Sequence, residues 1–351
     1  MKQINYIVVL FVAVLVCFWM TVTTSAAPGD LDPSFGNGGI VITRDHVSYA
    51  SAMAVQADGK IVVVGEGATG DTWDFAVVRY NTDGALDSSF GGTGIVLTSI
   101  GDSHDQAFAV VIQADGKIVV AGGICNGAGN CSGAGASFAV VRYNPNGSLD
   151  TSLNGTGIVT TSFGNSFAYA FSVASQTDGK IVAAGRSGDY PDTDFAVVRY
   201  NADGSLDTSF NGTGIVITPV GNSIDSATSV AIQTDGKIVV AGYSFNEIEG
   251  SSFAVVRYRT NGLLDHGFHA AGKVLTPFGN GFSGAGAVAI QSDGKIVAAG
   301  YSDRYPNSDF AFVRYNSTGV LDNSFGNAGK AVISVGAISD FANCVAIQLD
   351  G

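Results

Sequence analysis

The chain of 351 residues contains 48 glycines, and 46% of its residues are apolar while only 13% are charged. This balance is typical of a folded, turn-rich protein and excludes a disordered chain, which would have few apolar and many charged residues. The formal net charge is −13, so we do not expect a nucleic-acid-binding surface, which requires clustered lysine and arginine.

The N-terminus has the features of an export signal. Lys2 precedes an apolar run over residues 7–20, and small residues follow the run up to Ala27. The run is shorter than the roughly 20 apolar residues of a membrane-spanning helix, so a retained anchor is the weaker alternative. We therefore predict a signal peptide over residues 1–27. The mature chain, residues 28–351, is expected to be secreted or displayed at the cell surface, with no other membrane contact.

The first unit after the signal peptide predicts four short strands. They cover residues 39–43, 50–56, 60–64 and 75–81, and each is rich in valine and isoleucine. Asp58-Gly59 predicts a two-residue hairpin turn, whose central positions both need positive φ. Consecutive apolar residues at 60–64 and 75–78 predict a sheet that is buried on both faces.

The same pattern recurs along the chain. Gln-x-Asp-Gly begins at positions 57 to 63 residues apart, namely Gln56, Gln113, Gln176, Gln233, Gln291 and Gln348. A period of this size is typical of solenoids and propellers. Four-stranded sheets stacked around an axis bury both faces, so we predict an all-β fold, a β-propeller of four-stranded blades with five complete repeats and a truncated sixth. A linear β-solenoid is the alternative, although its coils are usually shorter and its strands parallel.

Three cysteines follow the signal peptide. Cys125 and Cys131 flank a glycine-rich insertion in the second copy, and in an exported protein this spacing predicts a disulfide. Zinc is disfavoured because neither a histidine nor a second thiol pair lies nearby. Cys344 has no partner that the sequence reveals.

Three recurring strings carry a family resemblance. Leu-Asp-x-Ser-Phe-Gly, Gln-x-Asp-Gly-Lys-Ile-Val and Phe-Ala-Val-Val-Arg-Tyr-Asn resemble the delta-60 repeat family of predicted bacterial β-propellers, from Leu31 to Gly351. The resemblance implies tandem repeats in a large exported or surface protein, and it implies neither an activity nor catalytic residues. The third copy departs from the pattern at Leu153-Asn154, and the fifth at residues 267–269.

A recurring arginine lies inside an apolar strand of each copy, at Arg79, Arg142, Arg199, Arg257 and Arg314. An unpaired charge there would be costly. The favoured interpretation pairs each arginine with an aspartate, such as that of the Leu-Asp turn. The alternative is an inward-facing ring of arginines that binds an anion.

One segment partly resembles a calcium loop. Asn81, Asp83 and Asp87 are spaced as carboxylate and amide ligands of calcium can be. Other copies place Arg259 where Asn81 stands and Thr318 where Asp83 stands, so a turn stabilised by side-chain hydrogen bonds is favoured. We expect no cofactor, and calcium is the one ion that the sequence leaves open.

Two kinds of connection alternate between the predicted strands. The Asp-Gly hairpins and Leu-Asp turns repeat at one rim, whereas residues 66–74, 123–137, 186–194, 243–252 and 301–309 differ between copies at the other. Function is expected at this variable rim. Its aromatic residues form a candidate recognition surface for a glycan or a protein, unless they pack under their own loops. They are Trp73, Tyr190, Tyr243, Phe245, Tyr301 and Tyr305.

No motif of a known catalytic site stands out in the sequence. We therefore predict an exported binding or scaffold module rather than an enzyme. The competing hypothesis is a propeller-type glycan hydrolase or lyase with carboxylates at the central channel, which a cluster of three or more Asp, Glu or His residues around a deep pocket would favour. A third hypothesis is a spacer within a longer surface protein.

Overall fold

The computed structural model describes residues 30–44, 47–70, 72–101, 103–125, 135–164, 166–248, 250–269, 271–279, 281–304, 307–336 and 338–348. The predicted signal peptide, Cys131 and Tyr305 lie outside these residues. Within the described ranges, no helix is both long enough and apolar enough to span a membrane.

The described residues form five four-stranded antiparallel sheets, here called blades 1 to 5. Blade 1 contains β1 (Val47–Val55), β2 (Ile61–Thr69), β3 (Thr72–Tyr80) and β4 (Ile95–Thr98); blade 2 contains β5 (Asp105–Ile112), β6 (Ile118–Cys125), β7 (Ala136–Tyr143) and β8 (Ile158–Thr161); blade 3 contains β9 (Phe167–Ser175), β10 (Ile181–Asp189), β11 (Asp192–Tyr200) and β12 (Ile215–Thr218); blade 4 contains β13 (Asp225–Ile232), β14 (Ile238–Asn246), β15 (Gly250–Tyr258) and β16 (Lys273–Thr276); blade 5 contains β17 (Ser283–Ile290), β18 (Ile296–Arg304), β19 (Asn307–Tyr315) and β20 (Lys330–Ile333).

Within every blade the strands pair in sequence order, and the first strand of each blade contacts the first strand of the next. This is the arrangement of a β-propeller, with the first strands nearest the axis. It confirms the predicted fold class.

The sequence prediction began each four-stranded unit one strand too early along the chain. Residues 39–43, predicted as a first strand, form none among the described residues, whereas Ile95–Thr98 pairs as the fourth strand with Thr72–Tyr80. The reason is the Leu-Asp turn, which folds the chain back onto its own third strand. Leu86 bridges Tyr80, and the backbone N–H of Arg79 donates to the carbonyl of Gly94 at 2.8 Å.

The Asp-Gly hairpin forms in all five blades, but its turn is longer than predicted. In blade 1 the N–H of Gly59 donates to the carbonyl of Gln56, and the N–H of Gln56 donates to the carbonyl of Lys60. This is a three-residue loop in which only Gly59 has positive φ, +82°. Such loops combine an ordinary turn with a left-handed residue, a role that glycine fills without strain.

The core consists of apolar layers between adjacent blades. Val62 and Phe75 of blade 1 pack with Val120 and Val141 of blade 2, and equivalent clusters fill the next three interfaces. A buried tyrosine crosses each interface: the hydroxyl of Tyr143 donates to Thr98 at 2.7 Å. Both faces of blades 2 to 4 are therefore buried, as predicted, whereas most of β1 in blade 1 is exposed.

The arginine of the third strand joins its own blade to the next at the repeated rim. In blade 3, Nε of Arg199 lies 2.7 Å from Oδ2 of Asp207, and Nη2 lies 3.2 Å from the hydroxyl of Ser209. Nη1 donates across the interface to the carbonyl of Thr260 at 2.6 Å. The guanidinium also lies 4.5 Å from the ring centroid of Phe210.

The same arginine–aspartate pair recurs in every blade, which confirms the favoured interpretation of these arginines. The Nε–Oδ2 distances are 2.8 Å for Arg79–Asp87, 2.6 Å for Arg142–Asp150, 2.9 Å for Arg257–Asp265 and 2.9 Å for Arg314–Asp322. The hairpin lysine approaches the same carboxylate, as Lys60 does at 3.0 Å from Asp87. The alternative, an inward ring that binds an anion, is therefore wrong.

Segments before and after the five blades form backbone hydrogen bonds with the first and last blades. The N–H of Gly36 donates to the carbonyl of Asp83 at 2.7 Å, as Asn211 does to Asn261 between blades 3 and 4. At the other end, the N–H of Asp340 donates to Ser308, so residues 338–348 lie against blade 5. Residues 338–348 belong to the partial sixth copy predicted from the repeat.

The insertion of blade 2 begins at the end of β6. Cys125 there is disulfide-bonded, and its predicted partner Cys131 lies outside the described residues, so the pairing stays a prediction. Cys344 is a free, exposed thiol.

Two copies of the arginine network differ in one respect, and this gives a matched test. Arg314 has the same aspartate and serine partners as Arg199, but no hydrogen bond within the described residues joins it to a following turn, and its side chain is 18% exposed instead of 5%. We expect Arg199→Met to lower the free energy of unfolding by about 3–5 kcal/mol, because it leaves Asp207 buried beside no guanidinium. Arg314→Met should cost clearly less, about 1–2 kcal/mol. Urea unfolding measures both, and equal losses would contradict the assigned role of the inter-blade bond.

The network aspartates also predict sensitivity to acid. Hydrogen bonds from the hydroxyl and N–H of Ser324 lower the pKa of Asp322 to about 2, and Arg314 and Lys295 add to this effect. Because the folded pKa lies below the ordinary value, this stabilisation is present above about pH 4 and is lost as the pH falls towards 2. We expect Asp322→Asn to reduce the dependence of unfolding free energy on pH between 5 and 2. An unchanged dependence in Asp322→Asn would contradict this prediction.

Candidate ligand-binding site

The variable rim consists mostly of strand ends, not of the loops predicted from the sequence. The ladder between the second and third strands continues to Asp189–Asp192 in blade 3 and to Asn246–Gly250 in blade 4. Only tight turns remain beyond these pairs. Side chains at this rim are therefore held by backbone hydrogen bonds, which fixes their positions relative to the blades.

A single position in the second strand distinguishes the blades. It follows a glycine that every copy keeps, because a Cβ on Gly185 would lie 1.7 Å from the carbonyl oxygen of Tyr169. In every blade the residue after this glycine pairs with a phenylalanine of the third strand. The residues at this variable position are Glu66, Gly123, Arg186, Tyr243 and Tyr301.

The size of the side chain at the variable position is matched to that of the residue facing it on the first strand of the following blade. Gly123 leaves room for the ring of Tyr169, which would lie 2.2 Å from an added Cβ. In the reverse arrangement, Tyr243 lies against Gly284, with 3.0 Å between the Cβ of the tyrosine and a Cβ added to the glycine. In each of these two contacts, one residue is therefore a glycine and the other a tyrosine.

This matching leaves a groove of about 620 Å³ across blades 3, 4 and 5. The groove opens at the variable rim and is lined mainly by aromatic side chains from all three blades. Its described lining comprises Phe167, Tyr169, Arg186, Gly188, Tyr190, Thr193, Ile224, Tyr243, Phe245, Ser251, Phe282 and Tyr301.

Two phenylalanines form an aromatic platform in the groove, where their rings stack on each other. The rings of Phe245 and Phe282 are nearly parallel, at 5°, with their centroids 5.9 Å apart. Phe282 is 51% exposed, and Tyr190 beside the groove is 82% exposed. The platform joins the end of a blade 4 strand to the segment that enters blade 5, so these rings do not simply pack beneath their own loops.

Two tyrosines of the groove, Tyr301 and Tyr169, have a raised pKa. Burial raises the pKa of Tyr301, and Asp303 and Tyr243 raise it further, while a hydrogen bond with Ser251 opposes them. Burial also raises the pKa of Tyr169, against the opposing charge of Arg186. Both phenols therefore stay protonated at neutral pH and can donate hydrogen bonds to a ligand.

Arg186 is the one cation among the described residues of the groove. It pairs in register with Tyr169 and Phe195, and its guanidinium carbon lies 5.6 Å from the ring centroid of Phe171. No described carboxylate lies within 4.0 Å of it, unlike the arginines of the repeated rim.

Acidic side chains of this rim lie between other strands, outside the described lining of the groove. Oδ2 of Asp105 accepts the N–H groups of Ile100 and Gly101, at 2.7 and 3.1 Å, while its Oδ1 has no partner. Burial raises the pKa of Asp105, and the charge of Asp74 adds to the shift. In the described ranges, no group of three His, Cys, Asp or Glu residues is placed to hold a metal ion.

The predicted recognition residues separate into three groups. Tyr190, Tyr243 and Tyr301 meet in the groove, together with Phe245. Trp73 is on blade 1, where its backbone N–H donates to Nδ1 of His104 at 3.1 Å, and it does not line the groove. Tyr305 lies outside the described residues. A binding role for these residues stays a prediction.

Sequence reasoning did not single out the groove aromatics Phe167, Tyr169 and Phe282, and it placed Arg186 in the variable segment 186–194 without assigning it a role. The three aromatic residues lie at or just before first strands, whereas the variable segments connect second and third strands. For Arg186 a signal was present, since the residue after the invariant glycine changes from copy to copy.

The chain is similar in structure to several solved proteins, with which it shares little sequence identity. No curated protein matches the chain. A PL25 ulvan lyase shares 12% identity with a TM-score of 0.42, covering 83% of this chain and 65% of its own. A Hadza microbial sialidase shares 11% identity (TM-score 0.45; 76% of this chain and 56% of its own), and an α-L-arabinofuranosidase from Lactobacillus brevis shares 11% (TM-score 0.40; 70% and 81%). The chain thus spans less than two thirds of the lyase and of the sialidase.

A family model matches the repeats themselves. The description of that family is a domain of unknown function, DUF5122, with a β-propeller fold. It matches five times, over residues 56–90, 113–153, 176–210, 233–268 and 291–325, which together make up just over half of the chain. Each match runs from the Asp-Gly hairpin to the Leu-Asp turn that the arginine holds. The chain therefore belongs to the DUF5122 β-propeller family.

Proposed function

We propose that this protein is an exported carbohydrate-binding module whose ligand lies in the groove of blades 3 to 5. The observation that carries the proposal is the near-parallel pair of Phe245 and Phe282, of which Phe282 is 51% exposed, in a groove lined mainly by aromatic side chains. Sugar rings present flat faces of C–H groups that stack on such a surface. The neighbouring phenols of Tyr243 and Tyr301 supply hydrogen-bond donors that would orient sugar hydroxyls.

The shape of the groove supports a chain-like ligand. It crosses three blades and is open along the rim, so a ligand can extend beyond it at either end. Its side chains are held on strand ends, which lowers the entropic cost of binding because little has to be ordered.

The competing hypothesis, a glycan hydrolase or lyase, has less support. Cleavage of a glycosidic bond by hydrolysis uses a pair of carboxyl groups, and proton transfer requires a group with a suitable pKa within reach. No aspartate, glutamate or histidine is among the described lining residues of the groove, and burial raises the pKa of Tyr169 and Tyr301. We therefore propose binding without chemistry.

A substitution in the platform tests this function. We expect Phe282→Ala to weaken binding of glycan ligands by at least about tenfold, because the exposed ring of the pair is removed. The measurement is a glycan array with the secreted chain, followed by calorimetric titration of the ligands that bind. Tyr49→Ala is the matched control, since Tyr49 is also an exposed aromatic residue, on blade 1 and away from the groove. An equal loss of glycan affinity in both variants, or the absence of any bound glycan, would favour the scaffold or spacer hypothesis.

A second substitution separates the groove from the rim as a whole. Trp73→Ala should leave glycan affinity within about twofold of wild type, because Trp73 does not line the groove. A loss as large as that of Phe282→Ala would show that recognition extends to blade 1. Thermal unfolding of each variant checks that the blades remain intact.

A further inference from the structure

We propose that the groove selects an acidic saccharide and that Arg186 holds the carboxylate of a uronic acid residue. The inference rests on the proposed function, because it names the class of glycan that the same groove binds. It starts from a charge that the fold leaves without a partner.

The other arginines within the blades show what this fold does with a guanidinium. Each of the five third-strand arginines has a carboxylate oxygen 2.6–2.9 Å from its Nε. Arg259, which is exposed, still lies 3.7 Å from Asp265. Arg186 is half-buried, and none of the described carboxylates lies within 4.0 Å of it. Burying part of a cation without a counter-ion is costly, and a bound anion would remove that cost.

The position of Arg186 also differs from that of a structural cation. It occupies the variable position, where blades 4 and 5 carry Tyr243 and Tyr301. The three side chains therefore form a row across the groove, with the cation at the blade 3 end and two phenols beyond it. A saccharide that stacks on Phe245 and Phe282 would place a sugar of the same chain near Arg186.

The surroundings of Arg186 strengthen its attraction for an anion. The rings of Phe171 and Tyr169 lie against it, and apolar neighbours lower the local dielectric constant. No acidic side chain is among the described lining residues of the groove. The net charge of the whole chain is −13, so long-range attraction does not favour an anionic polymer, and selectivity depends on this local cation.

The geometry of a guanidinium favours a carboxylate. Its planar N–H groups can donate two parallel hydrogen bonds to the two oxygens of one carboxylate. A sulfate ester offers similar oxygens, so the test includes both anions.

The test compares ligands that differ only in charge. Galacturonate hexamer, its methyl ester and a sulfated galactan hexamer are titrated calorimetrically into the full secreted chain. We expect wild type to bind the free acid at least about tenfold more tightly than the ester, and this preference to shrink as salt is raised. Arg186→Gln should abolish the preference while affinity for the ester stays unchanged. Arg186→Lys should keep part of it, because the charge remains but the paired donors are lost.

Arg44→Gln is the control, since Arg44 is exposed and has no described ion pair. It should leave the preference intact. The inference is overturned if wild type binds acid and ester equally, if Arg186→Gln keeps the preference, or if only the sulfated hexamer is preferred. Binding of neutral glycans alone would overturn it and leave the proposed function standing, whereas absence of all glycan binding would overturn both.

Discussion

The buried ion pair between the third-strand arginine and the aspartate of the Leu-Asp turn is the contact on which the blades depend. In blade 3, Arg199 holds Asp207 within its own copy and the carbonyl of Thr260 in the next. The turn that it fixes places the fourth strand beside the third. One side chain thus determines both how a blade closes and how it meets its neighbour, which explains why the repeated rim varies so little.

Because the repeated rim carries this task, the opposite rim can vary without loss of the fold. The invariant glycine of the second strand, Gly185 in blade 3, keeps the strands in close contact. The residue after it is free to differ, and the five blades use that freedom differently. An aromatic groove with one cation arises where Arg186, Tyr243 and Tyr301 follow one another.

The repeat predicted the features that depend on short-range pattern. The propeller, the glycine hairpins and the partner of Arg199 all followed from motifs that recur in every copy. The predicted assignment of strands to blades was wrong. Strand pairing after the Leu-Asp turn depends on backbone hydrogen bonds, which the amino-acid composition does not reveal. The groove was predicted only in part, since contacts such as Phe245 with Phe282 join residues of different copies. No local pattern marks such a contact, and its two residues need not resemble each other.

The size matching between blades bears on how such arrays can change over generations. Gly123 accommodates Tyr169, and Gly284 accommodates Tyr243, so each pair straddles the boundary between two copies. Exchange of a whole blade by recombination would bring one partner without the other, creating a clash or a void. The unit that can be inherited intact therefore runs from the second strand of one blade to the first strand of the next, and new specificities are expected to spread through the array in these offset segments.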